Sequence, residues 1–286
     1  MDDVRRPVCI AGLGTMGRSL AKLYASKGFT VKVISRTPES GKRGLDRLTG
    51  ELKSRMDKGK LSPDEYSRIT SRITLAKDVS EFADAEIIVE AIYEEEKAKE
   101  EFYSTIETKV PEDTVIATNT SSLSIDELSH RMRHPSRFIG MHFFNPAEVM
   151  RLVEIRRSGK TSDPIAAFAT EIAKQLGKTP IAVPDSPGMY VNRILFPMLL
   201  EGISVLETTN SPMKDIDDAM KLGANLPMGP FELCDFIGND IVLEISEILL
   251  EHTGDLRFKP PELLRRMVKE GRLGKKSGHG FYEYKK

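Results

Sequence analysis

Two residues in this chain have the types that a reversible proton transfer needs. His142 stands near the end of an apolar run in "SRFIGMHFFNP", and Glu154 lies inside the next one, "MRLVEIRR". Removing hydride from an alcohol carbon requires a base for the hydroxyl proton, and returning it to a ketone requires an acid. An imidazole that titrates near neutrality serves both directions. A carboxylate on its other ring nitrogen fixes the tautomer and stabilises the imidazolium. A strand-end histidine taken alone is more often structural, so the pair has to be judged with its surroundings. "TVIATNTSSLSI" ends a strand-like run at Asn119, Thr120, Ser121 and Ser122, and "PGMYVNR" offers Asn192 just beyond the last such run. In open parallel sheets ligands sit beyond the carboxyl ends of the strands, where residues scattered in sequence can meet.

A second stretch, "VCIAGLGTMG", runs from an apolar strand into Gly-x-Gly-x-x-Gly and opens a helical pattern. Gly12 permits the tight turn, Gly14 lets backbone approach a pyrophosphate, and Gly17 allows close helix–strand packing, with Leu13, Thr15 and Met16 completing the loop. The helix N-terminus then offers free N–H groups and a positive dipole end to phosphate. The acid expected about 20 positions on, which would bind the ribose hydroxyls of NAD, is replaced by Ser35, Arg36 and Thr37. Ser35 can donate to a 2′-phosphate, and the Arg36 guanidinium can pair with it or stack on adenine. The reading is NADP(H) favoured, with NAD(H) as the alternative.

Strand patterns at 8–11, 30–34, 73–75, 86–92, 114–118, 137–142, 151–156 and 179–183, several separated by helical patterns, predict a Rossmann-like α/β fold. Its sheet is doubly wound and mainly parallel. A polar helical stretch over 39–72, broken at Gly59 to Pro63, predicts a hairpin arm standing out from the body. After the breaker "PDSPG" the pattern is helical over 189–208, 213–223, 231–252 and 261–271. Residues 1–186 therefore form a dinucleotide-binding domain, and 187–286 an all-α domain for substrate binding and dimerisation. The apolar faces of that second domain point to a homodimer.

With 42 basic and 43 acidic residues the net charge is −1, which gives no whole-chain attraction for nucleic acid or an anionic membrane. Cys9 and Cys234 have no metal or disulfide spacing. His130 and His134, four apart in "HRMRH", read as a basic surface turn without further ligands, so no metal is expected. "MDDVRRPVCI" shows no secretory leader, and no run is long enough for a membrane helix. The expectation is a cytoplasmic protein.

The segments "GLGTMG", "VEAIYEEEKAKEEFY", "ATNTSSLSI", "GMHFFNPAEVMRLVEI", "SPGMYVNRIL", "DIDDAMKLGANLPMGPFEL" and "GRLGKKSGHGFYEY" resemble, in order and over nearly the whole chain, the 3-hydroxyacyl-CoA dehydrogenases. The likeness is greatest to the short-chain, 3-hydroxybutyryl-CoA members. The resemblance implies His142 as general acid/base, Glu154 as its orienting carboxylate, and Ser121 and Asn192 near the reacting oxygen. It also implies cofactor contacts by Ser121, Asn145, Glu94, Lys99 and Lys276. Ser35 departs from the family, most of whose members carry an acid there. An acyl-CoA substrate brings several phosphate charges. The arm from Gly41 to Leu61 holds seven bases against three acids, and Lys58 or Lys60 matches the family's CoA-contacting lysine. Two rivals remain open at this level: a dehydrogenase of a free hydroxy or sugar acid, and a non-catalytic, crystallin-like nucleotide-binding protein.

Overall fold

The computed structural model describes residues 6–284. Residues 1–5 and 285–286 lie outside the described part, and with them the start of the stretch read above for a leader. The chain divides into two compact units, Met1–Asp185 and Ser186–Lys286.

The first unit runs β1 (Val8–Ala11), α1 (Thr15–Ser26), β2 (Val31–Ile34), α2 (Pro38–Asp57), α3 (Pro63–Thr70), β3 (Ile73–Leu75), β4 (Ile87–Glu90), α4 (Glu96–Ile106), β5 (Val115–Thr118), α5 (Ile125–His130), β6 (Phe138–Phe143), β7 (Leu152–Arg156), α6 (Asp163–Gln175) and β8 (Thr179–Val183). The strands form one sheet in the order β3-β2-β1-β4-β5-β6-β7-β8. Every pairing is parallel except β6 with β7. Strand order reverses between β1 and β4, which opens a crevice at their carboxyl ends.

Successive side chains of a strand leave opposite faces, and here both faces are covered. Val8 and Ile10 join a core with Leu20 and Leu23 of α1 and Ile172 of α6. Cys9, Ile88 and Ile116 join another with Tyr103 and Ile106 of α4. The Cys9 thiol, buried in that second core, is pushed up to about 12 by desolvation.

The expected hairpin over 39–72 is present, each helix opened by a side-chain cap, Thr37 on the Ser40 N–H and Ser62 on the Glu65 N–H. Its base packs on the body, while its tip, residues 53–65, is exposed or half-buried throughout. Leu48, Leu52 and Ile69 pack into the α1 core, and Gly44 lies so close to Leu13 that a Cβ there would sit 2.5 Å from the Leu13 Cβ. The apolar face of the arm outweighs its polar composition, because burying each leucine removes apolar area from water.

The second unit is helical: α7 (Val191–Thr209), α8 (Met213–Gly223), α9 (Pro230–Ile237), α10 (Asn239–Thr253) and α11 (Glu262–Lys269). Phe196, Leu199, Ile203, Phe231, Val242 and Leu264 share its core with Cys234, whose thiol is also raised by burial. The single helix read over 231–252 is two, because Gly238 adopts φ +107° and turns the chain between α9 and α10. Two buried carboxylates tie the C-terminal segment down. Asp235 accepts the Phe281 and Tyr282 N–H groups at 2.9 and 2.8 Å, and Asp217 accepts the Tyr282 hydroxyl at 2.7 Å. Among the described residues no helix is long and apolar enough to cross a membrane.

Candidate active site

The antiparallel β6–β7 pairing sets His142 directly opposite Glu154. Side chains of such a pair leave the sheet on one face, and here His142 Nδ1 lies 2.9 Å from Glu154 Oε2. The carboxylate is 1% exposed and the histidine 6%. With Nδ1–H given to the carboxylate, Nε2 is the nitrogen left to exchange a proton. The Phe144 ring packs on the imidazole at 4.5 Å between centroids. The connection from β6 to β7 is pinned to α1: the Ala147 N–H donates to Ser19 Oγ at 2.7 Å, and Lys22 pairs with Glu148 at 2.8 Å. Asn145 lies exposed in that connection.

The turn that follows β5 is organised around Glu94. One oxygen of its carboxylate accepts the Ser121 N–H at 2.9 Å, the Ser122 N–H at 3.1 Å, the Ser122 hydroxyl at 2.9 Å and the Thr120 hydroxyl. The other oxygen lies 3.2 Å from the Lys99 ammonium. Burial opposes ionisation, but Lys99 and these donors outweigh it and take the carboxyl down to about 2. Asn119 Oδ1 accepts the Phe143 N–H at 2.9 Å, joining this turn to the end of β6 beside His142. Ser121 itself is half-buried.

Lys99, a cofactor contact by the family resemblance, is held within the fold by two carboxylates. Its side chain is 1% exposed, and its ammonium sits 2.6 Å from Glu90 Oε1 as well as beside Glu94. Glu90 also accepts the Tyr103 hydroxyl at 2.6 Å and the Thr118 hydroxyl at 2.8 Å. Lys99 is a buried counter-ion that holds Glu94 in place. Its sequence neighbourhood, rich in exposed charge, concealed this.

The glycine loop after β1 fits a dinucleotide. Gly12 has φ +101°, and a Cβ there would meet the Ala91 carbonyl oxygen at 2.3 Å; a Cβ on Gly17 would meet the Gly12 oxygen at 1.9 Å. Around Gly14 nothing lies within 4 Å of the Cβ position, so a ligand can approach the backbone there. Gly14 is the N-cap of α1 and supplies no side-chain bond, which leaves the first N–H groups of the helix for a phosphate. Leu13 is buried, whereas Thr15 is exposed and Met16 half-buried in the first turn. At the end of β2, Ser35 Oγ accepts from Ser40 Oγ at 3.0 Å and Arg36 is exposed. Thr37, also a candidate phosphate donor, accepts the Ser40 N–H as cap of α2.

On the α1 side of this unit a cavity of about 480 Å³ is lined by eight basic side chains and two carboxylates, Glu65 and Glu148. Arg55, Lys60, Arg68 and Arg72 come from the hairpin and its flanks, with Lys22 from α1 and Lys178 from the residue just before β8. The Lys178 ammonium is pushed down, first by desolvation and then by Lys27 nearby. Such a concentration of like charge favours an anionic guest. Lys60 is part of this lining and Lys58 is not; both are exposed.

Asn192 and Lys276 belong to the second unit. Asn192 is buried in the first turn of α7, and Lys276 pairs with Asp240 at 2.6 Å. Two buried charged residues escaped sequence reasoning, Glu90 and Arg156. Their signal was a charged residue at the end of an apolar strand, in "EIIVEAI" and "MRLVEIRR", where burial demands a partner.

Two family models cover the chain: 3-hydroxyacyl-CoA dehydrogenase, NAD binding domain, over residues 7–186, and 3-hydroxyacyl-CoA dehydrogenase, C-terminal domain, over 188–284. A Bacillus subtilis protein named Probable 3-hydroxybutyryl-CoA dehydrogenase is 42% identical over 98% of this chain and 97% of its own length. A 3-hydroxybutyryl-CoA dehydrogenase of Clostridioides difficile is 38% identical over 98% and 99%. The crystal structure of (S)-3-hydroxybutyryl-CoA dehydrogenase PaaH1 from Ralstonia eutropha superposes with a TM-score of 0.89 at 39% identity, covering 98% of this chain and 99% of that one. Matched in both its units and along its full length, the chain belongs to the 3-hydroxyacyl-CoA dehydrogenase family.

Proposed function

We propose that this chain interconverts (S)-3-hydroxyacyl-CoA, with 3-hydroxybutyryl-CoA as the representative substrate, and 3-oxoacyl-CoA. The observation that carries the reading is the His142–Glu154 pair at 2.9 Å, on the same carboxyl edge of the sheet as the glycine loop. A bound nicotinamide dinucleotide supplies or accepts the hydride. In the oxidative direction Nε2 of His142 takes the hydroxyl proton as the carbon gives up hydride, and Glu154 stabilises the resulting imidazolium. In the reductive direction the imidazolium returns that proton to the new alkoxide. Ser121 donates to the same oxygen. The glycine loop and the N-terminus of α1 bind the pyrophosphate. Contacts by Asn145, Asn192 and Lys276 are carried by the family resemblance.

The basic cavity is the natural seat for the phosphates of the CoA head group, with Lys60 rather than Lys58 at its wall. NADP(H) is the favoured cofactor, supported by the missing acid at positions 35–37 and the exposed Arg36 guanidinium. Ile194 and Leu222, 72% and 86% exposed on the second unit, support a homodimer. The test is reduction of acetoacetyl-CoA beside acetoacetate, with NADPH and NADH. Turnover of the thioester, and a larger kcat/KM with NADPH, are expected. Turnover of the free acid alone would reject the CoA reading, and a strong NADH preference would reject the cofactor reading.

A further inference from the structure

Arg156 is a charged side chain with 1% exposure, two positions beyond Glu154 on β7. Residues two apart on a strand leave the sheet on the same face. Arg156 stands opposite Gly140 as Glu154 stands opposite His142. A Cβ on Gly140 would lie 3.0 Å from the Arg156 Cβ and 2.9 Å from Ile125 Cδ1, so the glycine leaves the space the arginine stem needs. The guanidinium donates to the Thr120 carbonyl and, at 3.0 Å, to the Leu123 carbonyl. Asp185 flanks it at 3.5 Å and accepts the Ser124 hydroxyl and the Asp126 N–H, each at 2.8 Å.

The peptide between Thr120 and Ser121 is thus gripped at both ends. Its carbonyl faces the Arg156 cation and its N–H faces the Glu94 anion at 2.9 Å. A peptide unit is planar, so fixing both ends fixes the plane and the place of Ser121 Cα; the Ser122 N–H, held by the same Glu94 oxygen at 3.1 Å, then restricts rotation about the Ser121 backbone and with it the direction of Cβ. Stability alone does not call for this arrangement, since well-packed apolar side chains commonly replace a buried ion pair without loss. What the arginine adds is direction.

We propose that Arg156 is a positioning residue for hydride transfer: with Glu94 it orients the Thr120–Ser121 peptide so that the Ser121 hydroxyl meets the oxygen whose proton His142 moves. The proposal rests on the role given to Ser121 above. It makes β7 a common ruler, because the same strand sets the imidazole through Glu154 and the serine through Arg156.

A double-mutant cycle of Ser121→Ala and Arg156→Met tests it, with acetoacetyl-CoA reduced by NADPH and NADH and cofactor Kd read by fluorescence. Each single variant is expected to lose about tenfold or more in kcat, and Arg156→Met to keep cofactor Kd within about twofold. The second substitution is expected to add less than about twofold to the first, because both remove one interaction. Arg156→Lys keeps the charge without the two-pronged fork and falls between; it also carries the cycle if Arg156→Met fails to fold by circular dichroism. Losses that simply multiply would overturn the proposal, as would an Arg156→Met enzyme with wild-type kcat. Full activity in Ser121→Ala overturns the serine's role and the arginine's together. A wild type inactive on acetoacetyl-CoA with either cofactor strikes the functional reading itself, and this proposal with it.

Discussion

Replacing Glu94 with glutamine removes one charge and leaves the shape of the side chain almost unchanged. In the native fold its carboxyl lies at about 2, against an unperturbed 4.5. That difference corresponds to about 3 kcal/mol of preference for the ionised form. With 28% of the side chain exposed, solvent screens part of this, and the expected loss of stability in Glu94→Gln at pH 7 is about 2 kcal/mol. The sign follows from linkage. The folded value lies below the unfolded one, so the contribution is complete above about 4.5 and disappears as pH falls toward about 2. Urea unfolding of wild type and variant at pH 7, 5, 4 and 3 should show a gap that is constant to pH 5 and shrinks to less than about half by pH 3. Amide hydrogen exchange gives the local readout. The Ser121 and Ser122 N–H groups lose their charged acceptor and should exchange about tenfold faster or more at pH 7. Equal urea midpoints at pH 7, or a gap that persists undiminished at pH 3, would refute the assignment of Glu94 as the ionic centre of this turn.

Three further outcomes follow from the site. His142→Gln should lower kcat by about 10² to 10⁴ while cofactor Kd stays within a few-fold, checked by steady-state kinetics and fluorescence titration. Ser35→Asp should move the ratio of kcat/KM for NADPH over NADH by about tenfold or more toward NADH, read from the same assay with both cofactors. Arg68→Glu, at the wall of the basic cavity, should raise KM for acetoacetyl-CoA several-fold and weaken its dependence on salt; an unchanged KM across a salt series would remove the cavity from CoA binding.

The strands of the first unit were legible because each is a short, continuous apolar run bounded by turn residues, the pattern of strands buried on both faces. The glycine loop was legible because its spacing lies within ten consecutive residues; the contact of Gly17 with Gly12 is local, whereas that of Gly12 with Ala91 shows only once β1 and β4 are paired. The pairing of His142 with Glu154 could be guessed from residue type, but its register comes from β6 and β7 running antiparallel, which no single strand encodes. What stayed hidden depends on side chains that meet across the sheet. Lys99 lies in a charge-rich stretch whose sequence does not show that Glu90, nine residues earlier in the chain, brings a carboxylate to 2.6 Å. Arg156 ends an apolar run, and the space that Gly140 leaves for it shows only when the two strands are paired. The break of the 231–252 pattern at Gly238 was missed because apolar periodicity continues on either side of the turn.

Each unit holds one cysteine in its core, Cys9 in the first and Cys234 in the second, both inaccessible and poorly ionised. A thiol reagent can reach neither until its surroundings open, and each then reacts only in proportion to that opening. The chain therefore carries two internal clocks, one per unit. Alkylation followed by peptide mass analysis, on Cys9 and Cys234 separately, times the unfolding of the sheet and of the helical bundle without any engineered label.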